Sequence, residues 1–123
     1  MGRRSLGARG HRWVVLDSMG ELAAAYALGK TAIVGGTFGR RGGQNLIEPA
    51  AHGLPVIFGP HHPRIILEVS ALRDRGGWLA TDWRDAAALV GRRLLDPGPD
   101  PRLSLDILKG ATDRNLEVLL PYL

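Results

Sequence analysis

Four short apolar runs with a helix-sized segment in each gap predict an α/β fold. The expected architecture is a parallel sheet with right-handed crossovers and helices on both faces. The runs occupy residues 13–16, 31–34, 55–58 and 78–80. A second observation points the same way. Residues 34–60 read VGGTFGRRGGQNLIEPAAHGLPVIFGP, in which a strand end, a glycine-rich loop, a helix start and another strand end follow in turn. Two strand ends and one helix N-terminus would meet around one small volume, where open α/β sheets bind ligands. The free N–H groups and partial positive charge of that helix start would favour a phosphate. The third observation is size and composition. A chain of 123 residues, 45% hydrophobic and 23% charged, suffices for one domain with a core of its own.

Taken in order, residues 13–16 read as a buried strand, and Asp17 and Ser18 lead into a helix over about 19–28. Ser18 and Glu21 have the spacing of a capping box, and Gly29 ends the helix. The strand at 31–34 is followed by the glycine loop at 35–43. Asn45 opens the next helix, with Glu48 three residues on at capping distance, and Gly53 stops it. After the strand at 55–58, Pro63 suits the first turn of a helix that ends near Arg75, before Gly76 and Gly77. The strand at 78–80 is shorter and weaker. Asp82 caps a helix to Leu95, the DPGPDP segment turns the chain, and residues 102–120 predict a final helix. That helix is partly amphipathic through Leu105, Leu108, Leu116, Leu119 and Leu120, and Gly110 weakens it.

Composition excludes several classes. Cysteine is absent, so a disulfide framework and a thiolate metal site are ruled out. No apolar run approaches the roughly 20 residues that span a bilayer. The first residues, MGRRSLGARGHRW, are basic but lack the apolar stretch of a signal peptide. The formal charge is +4, and Arg3, Arg4, Arg9, His11 and Arg12 crowd the start. A solvated interdomain segment explains that cluster, as does contact with an anionic membrane surface or a substrate phosphate. Nucleic acid is not expected, because no aromatic residues interleave the arginines and no DNA- or RNA-binding motif occurs. The segment 1–12 is therefore set apart from a binding domain at 13–123.

The glycine loop is neither a Walker A motif nor G-x-G-x-x-G, so by itself it says only that backbone approaches something closely. Glu48 has two readings. It completes the cap by reaching back to Asn45, or it accepts hydrogen bonds from ribose hydroxyls, as acidic residues do in other nucleotide sites. Glu21 carries the same ambiguity. Arg40 and Arg41 either clamp a phosphate or carboxylate or belong to the loop surface. His61 and His62 follow a strand end without metal-ligand spacing, so no metal site is assigned. No nucleophile–base pair is evident, and no catalytic residue is assigned.

An ordered set of short motifs carries a resemblance. They are Asp17-Ser18-Met19-Gly20-Glu21-Leu22, Val34-Gly35-Gly36, Arg41-Gly42-Gly43-Gln44-Asn45-Leu46-Ile47-Glu48-Pro49-Ala50, Gly53-Leu54-Pro55-Val56 and Gly59-Pro60-His61. Together they resemble the 3-deoxy-D-manno-octulosonic acid (Kdo) transferases, which add Kdo to lipid A precursors. The likeness runs over nearly the whole chain. Ser18 stands where members usually have threonine, Gln44 where they have histidine, and Leu46-Ile47 where they have Pro-Leu. These replacements keep the backbone contacts and Glu48.

The resemblance implies a Rossmann-like domain, the C-terminal half of a GT-B glycosyltransferase, that binds CMP-Kdo and needs neither metal nor other cofactor. Met19, Gly20 and Glu21 match the first donor-contact segment. Gly42, Gly43, Asn45, Leu46, Ile47 and Glu48 match the second, with Glu48 the candidate for the ribose hydroxyls. The acceptor site and catalytic carboxylate belong to the family's N-terminal domain, which this sequence does not match. The chain is thus expected to be a fragment, a truncated frame or one piece of a split enzyme, inactive by itself. The parent enzyme would transfer Kdo from CMP-Kdo to a lipid A precursor at the cytoplasmic face of the bacterial inner membrane. Two other readings stay open: a GT-B donor domain that uses a UDP-sugar, and a non-catalytic nucleotide-binding or membrane-surface module.

Overall fold

The computed structural model describes residues 1–7 and 9–107. In chain order the strands are β1 (Gly2–Arg3), β2 (Val14–Val15), β3 (Ala32–Val34), β4 (Val56–Phe58) and β5 (Gly77–Leu79). The helices are α1 (Leu22–Tyr26), α2 (Ile47–Ala51), α3 (Ile66–Leu72) and α4 (Trp83–Leu95). Short 3-10 turns cover Arg4–Leu6, Gly35–Phe38 and Pro101–Ile107.

The core grows from β4. Its three residues are apolar and all buried, as expected of a parallel strand covered on both sides. It lies between β3 and β5, parallel to both, with Ile57 level with Ile33 and Trp78. Side chains alternate across a strand. Val56 and Phe58 pack with Leu46, Ala50, Ile65, Val69 and Leu72, which come from α2, α3 and the residues leading into them. Ile57 turns the other way and packs with Ala80 and with Ala86 and Leu89 of α4. Helices therefore cover both faces of the sheet. Leu46, Ile57, Phe58 and Leu72 are wholly buried, at roughly 1.5–3 kcal/mol each, so these two layers carry most of the stability.

The α4 helix follows its sequence signals closely. The Asp82 carboxylate accepts from the backbone N–H groups of Arg84 and Asp85, both at 2.8 Å. The segment after α4 returns to the core. Pro101 is buried, and Ser104 donates to the Arg75 carbonyl at 3.0 Å. The expected final helix begins here as a 3-10 turn, and the rest of that segment lies outside the described residues.

Other expectations are corrected. The predicted first strand does not join the main sheet. Val14 and Val15 pair in parallel with Gly2 and Arg3 in a separate two-stranded sheet. Both valines stay exposed, so no core contact draws them inward, and the nearby partner closes the shorter loop. The α3 helix starts at Ile66, three residues beyond Pro63. The turn before it is closed instead by His62, whose ring nitrogen meets the Gly59 carbonyl at 3.0 Å. The α1 helix is only five residues long and buries none of them.

Candidate functional site

The strand-end geometry expected from the sequence is realised as a cavity of about 260 Å³. Ile33, Val34, Gly35 and Gly36 at the end of β3 form one side. Arg41, Gln44, Asn45 and Glu48 form another, and Leu22 and Tyr26 of α1 close it. From the described residues it offers one guanidinium, one carboxylate, two amides, a phenol and an apolar wall. That set suits a polar ligand with a flat or apolar part.

Thr37 holds the two strand ends together. Its side chain is wholly buried. The hydroxyl donates to the Val34 carbonyl at 2.5 Å and accepts from the Gly59 N–H at 2.6 Å. The Thr37 carbonyl in turn accepts from the His61 N–H at 2.9 Å. This fixes the turn after β3 against the turn after β4. Gly59 is required by closeness: a Cβ there would stand 2.6 Å from the Thr37 carbonyl oxygen.

The Asn45 side chain caps α2. Its Oδ1 accepts from the N–H groups of Ile47 at 2.8 Å and Glu48 at 3.3 Å. Two of the N–H groups expected to face a phosphate are thereby occupied, and α2 is only five residues long. Arg41 is thus the cavity's cationic group, rather than the helix start. Glu48 is half-buried and acts on Tyr26. Burial first, and the Glu48 charge second, push the Tyr26 phenol above its usual range.

The other residues singled out from the sequence are dispersed. Leu46 is wholly buried in the core, and Ile47 is half-buried. Gly42 and Gly43 are the buried end of the loop. At Gly43, with φ of 89°, a Cβ would stand 2.7 Å from Ile65 and 2.9 Å from Thr37. Packing and backbone conformation therefore demand glycine here, with no ligand needed. Met19 is 98% exposed, and neither it nor Gly20 lines the cavity. Glu21 faces the N-terminal segment. The Ser18 hydroxyl donates to its carboxylate, and Arg4 pairs with it at 3.1 Å. The capping box expected of Ser18 and Glu21 is thus replaced by a direct contact between their side chains, and among the described residues no side chain caps α1. Asp17 is held likewise. Ser5 donates to it from the backbone at 2.9 Å and from the hydroxyl at 2.7 Å, which keeps the Asp17 carboxyl below its usual range.

Leu22, Tyr26, Ile33, Val34, the Gly35-Gly36 turn and Gln44 line the cavity although the motifs did not assign them as contacts. An aromatic on a short helix reads as core, and the signal for its role is its position one turn after Leu22. Among the described residues no group of histidines and acids is arranged to hold a metal, and no helix is long and apolar enough to cross a membrane.

No protein-family model matches the chain. Individual proteins do. The chain is 38% identical over 114 residues to a 3-deoxy-D-manno-octulosonic acid transferase of Bordetella pertussis, covering 87% of this chain and 27% of that protein. It is 34% identical over 118 residues to the transferase of the same description from Haemophilus influenzae, with the same coverage. A 52-residue stretch is 48% identical to the one from Aquifex aeolicus, covering 42% of this chain and 15% of that protein. The chain thus spans about a quarter of the length of the curated relatives it matches most extensively. Among solved structures it superimposes on the C-terminal CMP-Kdo binding domain of WaaA from Acinetobacter baumannii. The TM-score is 0.75 at 29% identity, covering 87% of this chain and 60% of that one. By sequence and by fold, the chain belongs to the 3-deoxy-D-manno-octulosonic acid transferase family and corresponds to its C-terminal domain.

Proposed function

We propose that this domain binds CMP-Kdo and that the cavity between β3, α1 and α2 receives its nucleotide. The observation that carries the proposal is the joint placement of Glu48, Asn45 and Arg41 around the end of β3. The half-buried Glu48 carboxylate accepts ribose hydroxyls, and Tyr26 and Leu22 close over the nucleoside. Arg41 faces the phosphate. In the whole enzyme, transfer of Kdo to a lipid A precursor leaves CMP with added negative charge on that phosphate, which a fixed cation stabilises. The reaction uses no metal and no further cofactor. A second domain supplies the acceptor site, so the present chain binds donor but does not transfer it. The parent enzyme works at the cytoplasmic face of the inner membrane, and anionic lipid is a partner of the N-terminal segment. There Leu6 and Trp13 are exposed beside the arginines, a composition suited to a headgroup layer.

The test is calorimetry with CMP, cytidine, UDP and GDP. CMP is expected to bind more tightly than the other three, and its advantage over cytidine to shrink with salt, because Arg41 is exposed. Equal affinity for cytidine and CMP would place the phosphate elsewhere. Tighter binding of UDP than CMP would move the reading to a UDP-sugar donor.

A further inference from the structure

A second cavity, of about 560 Å³, adjoins the first and shares Gly35, Gly36 and Arg41 with it. Its own walls are Phe38, Gly39, Arg40 and Trp83. Phe38 and Trp83 stack with ring centroids 4.2 Å apart and planes at 21°. Trp83 nevertheless remains 58% exposed, so the pair presents a broad apolar face to the cavity. Among the described residues, no carboxylate lines this space. Arg40 and Arg41 are exposed, and neither has an ion-pair partner among the described residues.

Size and chemistry argue for one ligand across both cavities. At about 260 Å³ the first lies below the roughly 300–1,000 Å³ typical of small-molecule sites, too small for a nucleotide together with an eight-carbon sugar. The second continues it on the far side of the glycine turn. Glycines at 35 and 36 contribute no side chain to the partition, which Arg41 alone of the shared residues borders with a side chain. An apolar aromatic face beside guanidinium groups fits a sugar ring that carries a carboxylate. The ring's C–H face packs on the aromatics, and the planar guanidinium matches a carboxylate in two parallel hydrogen bonds.

We propose that the cavity lined by Phe38, Trp83, Arg40 and Arg41 is the subsite for the carboxylate-bearing sugar of the donor. The inference rests on placing the nucleotide in the first cavity. Arg41, common to both, then stands between phosphate and carboxylate, and Arg40 and Trp83 belong to the sugar alone.

The experiment compares CMP with CMP-Kdo by calorimetry on the full chain and on two variants, Arg40→Gln and Trp83→Leu. CMP-Kdo is expected to bind the unaltered chain about tenfold more tightly than CMP, which corresponds to about 1.4 kcal/mol. Each variant should bring that ratio to within about twofold of unity while CMP affinity stays the same. Arg40→Gln alters an exposed loop side chain, so it keeps the test meaningful if Trp83→Leu destabilises α4. A ratio near one in the unaltered chain, or a tenfold ratio that survives Arg40→Gln, overturns the subsite while the nucleotide reading stands. Failure of CMP itself to bind overturns both.

Discussion

Replacing Thr37 by valine tests whether one hydroxyl fixes the site's geometry. Valine has nearly the same shape, so the methyl beside Gly43 is preserved and only the oxygen is lost. Two hydrogen bonds go with it, from the Gly59 N–H at 2.6 Å and to the Val34 carbonyl at 2.5 Å. The Gly59 N–H is buried, and stranding such a group costs about 1–3 kcal/mol. The Val34 carbonyl is only partly buried and should cost less. The expected loss is thus about 2–4 kcal/mol, against a total of about 5–15 kcal/mol for a native domain. Urea unfolding should show the midpoint fall at unchanged slope, and Tm should drop by on the order of 10 °C. Thr37→Ser retains the oxygen and gives up one buried methyl, about 1 kcal/mol, so it should recover most of the loss. CMP affinity should fall in the valine variant and not in the serine variant, because the turn after β3 forms a cavity wall. A valine variant within about 0.5 kcal/mol of the unaltered chain, well below the cost of a stranded buried N–H, would refute this account of Thr37.

Further predictions concern single groups. Glu48→Gln should weaken CMP binding by on the order of 1–3 kcal/mol with unchanged melting, because Asn45 still caps α2; unchanged affinity would remove Glu48 from the ribose. The same substitution in a Tyr122→Phe background should bring the Tyr26 titration part of the way down toward its ordinary value of 10.0, as followed by tyrosinate absorbance, with burial keeping it raised. A phenol raised in the folded state favours folding below its unfolded value, and that contribution is lost as pH rises through the folded value, so Tyr26 weakens the fold only on the alkaline side. Asp17 behaves oppositely. Its carboxyl is lowered from 3.8 by Ser5, so its contribution is present above 3.8 and is lost as pH falls through the lower folded value. Asp17→Asn should abolish that acid-side dependence, seen as exchange protection of the Ser5 amide. Gly43→Ala should destabilise by about 1–3 kcal/mol through its positive φ and the contact with Ile65, even without ligand, as measured by urea unfolding.

The sequence made some parts legible because one residue decided them. Asp82 stands where only a cap makes sense, and α4 begins there. Residues 55–58 are apolar without alternation, as a strand with two covered faces must be, and β4 is such a strand. The valines at 14 and 15 look the same in a pattern, yet they stay exposed, because a pattern records hydrophobicity and not the partner a strand finds. Asn45 and Glu48 could be located from capping distance and motif order. Thr37 could not. Its two hydrogen-bond partners come from different strand ends, and the Gly59 N–H is 22 residues away. Met19 and Leu46 show the opposite limit. Motif order places them among contacts, but one side chain faces solvent and the other the core.

The pairing of Arg4 with Glu21 gives the loop that leads into α1 an internal counter-ion, and Ser5 ties its second acid, Asp17, by two hydrogen bonds. An anionic ligand approaching the α1 wall would therefore meet a loop whose two carboxylates are already engaged. Trimming residues 1–5 would strip Glu21 of its cation and Asp17 of its hydrogen-bond donors, and leave both carboxylates facing solvent. The local field would then oppose an incoming anion within about a Debye length, roughly 10 Å at 0.1 M salt. A deletion that touches no cavity residue would thus slow ligand capture at low ionic strength and become silent at high ionic strength.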